Sequence, residues 1–351
     1  MSLVYWAMHY YSYIHIKKDF ALSRVPAVFL KVFYCMGGIS YFAGRMIYTK
    51  WGSIFLLTSG EIWMGMISIS VSAFAARDFL SLFIRGKAKA LTSGAVAVTL
   101  IMTSAAMINA TQLAIRHITL ICPLLSSGEE YRIAALSDLH LADNKSLLWL
   151  ENTADKINSF NPDAVILAGD LFEGGLKTKR DSFIAAFRKI RSRDGVFAVP
   201  GNHEFYAGVK NFESFAKAAG IKVLRNENTV AGGKIIFAGI DDEATPDELD
   251  KALPRDRAGM PVVLLSHRGE IFPEAALRNI FLQFSGHTHD GQIPFFNILV
   301  KIYFKYPYGL YSEGHSYLYT SSGAGTWGPP MRLFSKSEIV CFTIKSRHHP
   351  E

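Results

Sequence analysis

Five short stretches of the chain carry side chains of the types that bind metal ions. Each follows a run of apolar residues and each contains a carboxylate, an imidazole or an amide. Taken singly, such residues are usually helix caps, turn residues or core histidines. Their repetition at five apolar-run ends favours a metal centre. The stretches are Ser137-Asp138-Leu139-His140, Gly169-Asp170, Gly201-Asn202-His203-Glu204, Ser266-His267 and Gly286-His287-Thr288-His289.

These ligand types suit two divalent cations held close together, with a carboxylate bridging them. We assign Asp170 as the bridge. The first ion then takes Asp138, His140 and His289, and the second takes Asn202, His267 and His287. His203 is predicted to be catalytic, because it lies beside a ligand and can donate a proton to a leaving oxygen or stabilise phosphoryl charge. The ligand types do not distinguish manganese, iron and zinc.

The predicted ligands must be positioned by strands. From Arg132 onward, short apolar runs alternate with amphipathic segments, which indicates an α/β fold whose strand ends share one edge. Asp138, Asp170 and Asn202 recur at intervals of 32 residues (170 − 138 and 202 − 170), about one strand-helix-strand unit. The predicted strands here are Ile133–Leu136, Ala164–Ala168 and Val196–Val199, with helices over Leu147–Phe160 and Phe183–Ile190.

After Gly220 the pattern changes mostly to strands, which favours a two-sheet sandwich flanked by helices over a single wound sheet. The predicted strands are Ile221–Leu224, Ile235–Ile240, Val262–Leu265, Ile280–Phe284, Ser316–Thr320 and Glu338–Thr343.

The first third of the chain has a different composition. Three apolar segments are long enough to cross a bilayer, which takes about 20 residues. They are Ala27–Tyr48, Ile54–Ala76 and Thr92–Ile115, and Leu3–Ile16 is a candidate fourth span. The alternative is a set of buried helices in a soluble domain. We expect a transmembrane region over residues 1–122, a linker over 123–130 and a catalytic domain over 131–351.

Charge is distributed unevenly between these regions. Residues 1–122 hold 11 Lys or Arg and 3 acidic residues, a net charge of +8, and the remainder holds 26 and 27, a net charge of −1. Nucleic-acid binding by the C-terminal domain therefore gains no support. Basic residues in the connectors before Ala27 and after Ala76 favour a cytoplasmic position for both. The catalytic domain is then predicted to be extracytoplasmic. Three cysteines give no disulfide framework.

The ordered set Asp-x-His, Gly-Asp, Gly-Asn-His-Glu, lone His and Gly-His-x-His resembles the calcineurin-like metallophosphoesterase superfamily over about residues 131–345. Gly286–Gln292, Tyr308–Tyr311 and Ser321–Pro330 further resemble the membrane-associated bacterial YaeI-like phosphodiesterases. The resemblance implies a four-layer αββα sandwich, two metal ions and phosphoester hydrolysis at a bacterial inner membrane. Asp290, where that branch usually has Gly, and Arg268-Gly269-Glu270 depart from its pattern and bear on substrate preference.

We therefore expect a membrane-anchored phosphoesterase that cleaves a phosphodiester or pyrophosphate bond, with the bilayer and a phosphoester as its partners. Alternatives are a pyrophosphatase acting on a UDP-diacylglucosamine type lipid precursor and a non-catalytic, metal-bound membrane scaffold. No obligate protein partner is expected. The glycine-rich segment Gly323–Pro330 is interpreted as a structural wall of the site in preference to a phosphate-binding loop. Aromatic and basic residues between Phe295 and Tyr311 suit either a lipid-facing surface or an irregular core.

Overall fold

The computed structural model describes residues 2–51 and 53–347, with side chains described for residues 3–48 and 53–347. Met1, Gly52 and residues 348–351, which include the end of the predicted catalytic domain, lie outside the described residues. The chain forms two compact units. The first contains the chain through Thr111 together with Gly291–Leu299 and Gly328–Ser335, and the second contains Gln112–Asp290, Val300–Trp327 and the chain from Lys336.

The first unit is helical. Its helices are α1 (Ser2–Asp19), α2 (Arg24–Trp51), α3 (Ile54–Ser81) and α4 (Ala88–Thr111). Among the described residues, three segments are long and apolar enough to cross a membrane: Arg24–Tyr48, Ile54–Ser81 and Ala88–Thr111. These match the three predicted spans, whereas α1, the candidate fourth, does not meet the same length and hydropathy requirement.

Small residues bring α2 and α3 into close contact. A Cβ atom added at Gly60 would lie 2.5 Å from the Ser40 carbonyl oxygen and 2.7 Å from Tyr41 Cα, so glycine is required there. At the next position of α3, the buried carboxylate of Glu61 lies 3.9 Å from the Arg45 guanidinium. An acid in an apolar span needs such a partner, since burying an unpaired charge is costly.

The second unit contains two six-stranded sheets. The strands are β1 (Leu113–Cys122), β2 (Glu130–Leu136), β3 (Ala164–Ala168), β4 (Gly195–Val199), β5 (Ile221–Val223), β6 (Glu227–Ala231), β7 (Ile235–Gly239), β8 (Val262–Leu265), β9 (Leu282–Ser285), β10 (Gly309–Glu313), β11 (Ser316–Thr320) and β12 (Ser337–Ser346). The first sheet has the order β1-β12-β2-β3-β4-β5 and the second β10-β11-β9-β8-β7-β6. Strands β2 to β5 are mutually parallel, as are β7, β8, β9 and β11.

Short helices connect and cover these strands. They are α5 (Leu147–Phe160), α6 (Arg180–Phe187), α7 (Asn202–Ala207), α8 (Val209–Ala219), α9 (Pro246–Ala252), α10 (Phe272–Leu277) and α11 (Phe296–Tyr303).

Alternation along the strands builds three apolar layers in this unit. On β3, Val165 and Leu167 face a core shared with α5, α6 and α8, whereas Ile166 and Ala168 face the layer between the sheets. A third layer packs Ile236 and neighbouring side chains of the second sheet against α9 and α10. Helix, sheet, sheet and helix layers therefore stack in that order, as the predicted αββα sandwich requires.

The region after α4 differs from the sequence-based prediction. Leu113–Cys122 forms β1, which pairs in parallel with β12, so the third predicted span, Thr92–Ile115, is wrong at its C-terminal end. The predicted linker instead connects β1 to β2 within one sheet, and its Leu125 is buried in the core between the sheets. The polar interruptions Arg116, His117 and Thr119 are compatible with a strand that is only partly covered.

Candidate metal centre

Loops at strand ends from both sheets supply the candidate ligands. The loop after β2 carries Asp138 and His140, the loop after β3 carries Asp170, and the start of α7, just after β4, carries Asn202 and His203. From the second sheet, the loops after β8 and β9 carry His267, and His287 with His289. All eight residues belong to the second unit, and they lie together, because parallel strands of each sheet end at the same edge.

Asp138, His140 and His289 form the first group able to hold a metal ion, with one ligand atom from each within 4.8 Å of the others. The Nε2 atoms of His140 and His289 are 3.0 Å apart. His289 Nε2 lies 3.5 Å from Asp138 Oδ1. Asp138 and His140 are fully buried and His289 is nearly so. The spacing suits three ligands of one cation.

Asp170, His267 and His287 form a second such group. His267 Nε2 lies 3.2 Å from each of three atoms: Asp170 Oδ2, Asn202 Oδ1 and His287 Nδ1. A third group, His140, Asp170 and His203, overlaps the others.

One oxygen of Asp170 faces both groups. Its Oδ2 atom is 3.2 Å from His267 Nε2 and 3.7 Å from His140 Nε2. Asp170 Oδ1 is used differently, since it accepts a hydrogen bond from the His203 backbone N–H at 2.9 Å. A carboxylate in this position is suited to bridge two cations.

Hydrogen bonds on the far side of two imidazoles fix which nitrogen faces the centre. His267 Nδ1 lies 2.9 Å from the Ala168 carbonyl oxygen, and His140 Nδ1 lies 2.8 Å from Glu173 Oε2. Both partners are acceptors, so each Nδ1 donates and each neutral ring presents its Nε2 lone pair to the centre. Lone pairs of nitrogen and oxygen therefore converge, which is the donor set that a divalent cation needs.

The burial and close approach of these groups shift their pKa values. Burial lowers the pKa of His267, but the charge of Asp170 and the hydrogen bond to it raise that pKa to about 10. Burial would raise the pKa of Asp170, yet His267 holds it well below its ordinary value. Burial and then the charge of His267 lower the pKa of His287 to about 3. Without a cation, a proton on His267 balances the carboxylates, and a cation would displace it.

Five of the candidate ligands have backbone φ angles between 45° and 72°, in the left-handed region that non-glycine residues seldom adopt. Residues held in such conformations cluster at functional sites, where the surrounding structure compensates for the strain. The five are Asp138, His140, Asp170, His287 and His289.

Glycines beside the ligands leave room for them. A Cβ atom at Gly169 would lie 2.6 Å from His267 Nδ1, and one at Gly201 would collide with the Asp170 carboxylate. At Gly286, a Cβ atom would collide with the Asp138 carboxylate. These positions require glycine for space, since the opposing atoms are ligands or buried backbone.

Glu204 is buried and joins the loops after β3 and β4. Its carboxylate accepts backbone N–H bonds from Asp170 and Gly201, both at 2.8 Å, and from Phe172 at 3.1 Å. Burial and the charge of Asp170 raise the pKa of Glu204 to about 7. Glu204 thus orients the backbone that carries Asp170.

Glu173 is a further residue of this site and was not predicted from the sequence. Its carboxylate lies 2.8 Å from His140 Nδ1 and 3.4 Å from His203 Nδ1, so it links a candidate ligand with the predicted catalytic histidine. The signal was available in the pattern Gly-Asp-x-x-Glu, in which an acid follows Asp170 by three positions (173 − 170). Burial and the charge of His140 lower the pKa of His203.

The glycine-rich segment supports the first ligand loop. Ala324 N–H donates to the Ser137 carbonyl and Gly325 N–H to the Asp138 carbonyl, both at 2.9 Å. These two amides are therefore engaged by the protein, which agrees with the structural interpretation of the segment. Within the segment, the Trp327 ring centroid lies 6.5 Å from that of His203. Phe304 lies 5.7 Å from His287.

Comparison with known proteins places this site in a family. The family model for calcineurin-like phosphoesterases matches residues 131–291. An uncharacterized metallophosphoesterase of Helicobacter pylori strain J99 is 36% identical over 221 residues, which cover 60% of this chain and 59% of that protein. One from Aquifex aeolicus is 32% identical over 233 residues, 64% of this chain and 88% of that protein.

A bovine transmembrane protein with a metallophosphoesterase domain is 32% identical over 281 residues, 72% of this chain and 62% of that protein. The chain spans about three fifths of the length of the Helicobacter and Campylobacter relatives. From the sandwich, the converging ligands and these relatives, we conclude that the chain belongs to the calcineurin-like metallophosphoesterase family of metal-dependent phosphoric ester hydrolases.

Proposed function

We propose that the second unit is the catalytic domain of a membrane-anchored phosphoesterase that hydrolyses a phosphodiester or pyrophosphate bond. Its seven candidate ligands would hold two divalent ions, with Asp170 within reach of both. The observation that carries the proposal is the approach of two imidazole Nε2 atoms, from His140 and His267, to the same Asp170 oxygen. Two ligand groups that share a carboxylate oxygen suit a pair of cations better than a single one.

When bound, the ions would supply positive charge that polarises the phosphoryl group and lowers the pKa of attacking water. Side chains of the protein position the ligands and transfer the proton. His203 is held by its backbone N–H on Asp170 and by Nδ1 near Glu173. Glu173 favours the protonated imidazole, which donates a proton to the leaving oxygen. Glu204 and the glycines keep the ligand loops in place.

We further propose that the three apolar helices of the first unit anchor the enzyme in a bacterial plasma membrane, with the catalytic domain outside the cytoplasm. Basic residues cluster around the connection from α1 to α2 and around the connection from α3 to α4, and this clustering supports that orientation. Protease access to a C-terminal tag in intact cells measures it, and a tag protected until the cells are lysed contradicts it.

Asp170→Asn in the full chain tests the shared carboxylate. We expect turnover of bis(p-nitrophenyl) phosphate with added manganese to fall by about a thousandfold or more, because both ions lose a charged ligand. Asp155→Asn, an exposed carboxylate on α5, is the matched control and should keep full activity. Retained activity in Asp170→Asn would overturn the assignment.

The substrate class is resolved by a panel of phosphomonoesters, soluble phosphodiesters and lipid-linked pyrophosphates offered to the full chain with manganese, iron or zinc. Preference for a nucleotide-linked lipid pyrophosphate would select the lipid-precursor alternative. A metal-loaded chain that cleaves none of these would select the scaffold.

A further inference from the structure

Helix α11 presents an apolar face to its surroundings. Ile298 is 63% exposed, Ile302 76% and Tyr303 83%, and the preceding Phe295 is also exposed, as is Leu299. Within the helix, Ile298, Leu299, Ile302 and Tyr303 follow the spacing i, i+1, i+4 and i+5, so they fall on one side of it. A soluble surface rarely leaves a continuous apolar stripe of this kind uncovered, so the face requires an occupant.

The opposite side of this segment packs within the helical unit. Ile293 is buried with Ile69 of α3 and Ala106 of α4, and Phe296 packs against the same cluster. The Ser68 hydroxyl of α3 donates to the Pro294 carbonyl at 3.3 Å. The beginning of α11 is therefore fixed to two of the candidate membrane spans.

A second segment adds to this surface. Leu333 N–H donates to the Gln292 carbonyl at 2.8 Å, so the chain before α11 runs beside Gly328–Ser335. Phe334 is largely exposed at φ 65°, and Phe295 is exposed at φ 72°. Bulky residues seldom adopt positive φ, so the fold holds two phenyl rings outward at the expense of backbone strain.

The charges near this face suit phospholipid. Residues 291–305 contain Lys301 and Lys305 and no acidic residue. Both lysines are exposed. The outer faces of the candidate spans show the same pattern of exposed large apolar side chains, such as Phe29 on α2 and Phe55 on α3. Lipid covers such side chains in a membrane protein.

We propose that α11 is an interfacial membrane helix. Its apolar face, together with Phe295 and Phe334, is buried at the boundary between headgroups and acyl chains, and Lys301 and Lys305 contact lipid phosphates. The chain thus binds the bilayer through this segment as well as through its three spans. This surface does not depend on the proposed hydrolase activity.

Depth-dependent fluorescence quenching tests this in the full chain, reconstituted in vesicles of phosphatidylethanolamine and phosphatidylglycerol. Cys35, which is exposed, is first replaced by serine, and the other two cysteines are buried. An environment-sensitive dye is attached at Ile302→Cys. Matched labels are Leu148→Cys, on the exposed start of α5, and Phe29→Cys, on the outer face of α2.

We expect a nitroxide near the lipid headgroup to quench the dye at position 302 several-fold more than the dye at position 148, with aqueous iodide giving the reverse order. The dye at position 29 reports quenching by acyl-chain nitroxides. Equal iodide quenching at 302 and 148, without nitroxide quenching at 302, would place the face in water and overturn the proposal. Protection from both quenchers would also overturn it, because the occupant would then be protein, such as a second copy of the chain.

Discussion

At the scale of single residues, the centre depends on which nitrogen of each imidazole carries a proton. His267 and His140 donate from Nδ1 to Ala168 and Glu173, and this leaves Nε2 for a cation. Without its acceptor, either ring could rotate or change tautomer and present a protonated nitrogen to the cation. His203 differs, because its Nδ1 is only 3.4 Å from Glu173 and its ring lies at the edge of the cluster. It is the residue of this group best placed for proton transfer.

His203→Gln should therefore affect substrates unequally. A diester with an alkyl leaving group needs a proton on its leaving oxygen, so we expect its kcat to fall by about a hundredfold or more. A p-nitrophenyl diester leaves as a stable anion and should lose much less. Steady-state kinetics on both substrates measure the difference.

The exposed His315→Gln serves as the control and should leave both rates unchanged. Equal losses on the two substrates in His203→Gln would show that the imidazole acts on something other than the leaving oxygen.

At the scale of elements, the site is made by the turns that end β2, β3, β4, β8 and β9. The turns after β2, β3 and β9 place ligands at positive φ, and Gly169, Gly201 and Gly286 leave room for neighbouring ligands. Glu204, at the start of α7, holds two of these turns together through three backbone amides. The metal centre thus depends on backbone geometry as much as on ligand identity.

Gly286→Ala tests this dependence. The added methyl group would collide with the Asp138 carboxylate and lie within 2.6 Å of the Ser137 side chain, so a ligand must move. A ligand displaced by about 1 Å typically costs about a hundredfold in activity. We expect that loss together with weaker metal binding, measured by titration calorimetry.

Gly94→Ala on α4 is the comparison, since a methyl group there meets open space, and it should keep its activity. Normal metal affinity in Gly286→Ala would show that the Asp138 loop shifts without cost.

At the scale of the whole molecule, the two sheets must pack together before the centre exists. The first sheet supplies Asp138, His140, Asp170 and Asn202, and the second supplies His267, His287 and His289. Any cation held between them binds the folded state and stabilises it by mass action. That stabilisation should depend on pH, because a proton on His267 competes with the cation for the same ring nitrogen.

We expect manganese to raise the unfolding temperature of the full chain relative to chelator, and by more at pH 8 than at pH 6. The pKa of His267 is about 10 without a cation, so at both pH values a proton must be displaced. Each unit fall in pH then weakens binding about tenfold per proton displaced, which removes about 1.4 kcal/mol of stabilisation.

Scanning calorimetry with and without chelator measures the two differences. Asp170→Asn should show little metal-dependent stabilisation at either pH. A stabilisation equal at both values, or larger at pH 6, would contradict proton competition at His267.

The sequence alone determined much of this molecule. Apolar runs that end in ligating residues predicted the strands before the site and named eight candidate site residues, because side chains for metal chemistry at strand ends are a local pattern. Long apolar segments likewise predicted three spans, since crossing a bilayer requires about 20 such residues. The two-sheet sandwich followed from the change to strands after Gly220.

Only the tertiary structure decided the rest. The start of Leu113–Cys122 continues the apolar stretch of α4 and was predicted as part of a span. It is a strand because it pairs with β12, more than 200 residues later in the chain. Glu173 became part of the site because a distant loop brought His140 and His203 to it. Which side of α11 is exposed depends on the packing of Ile293 and Phe296 against α3 and α4. Each is a contact between residues far apart in sequence, which local periodicity does not encode.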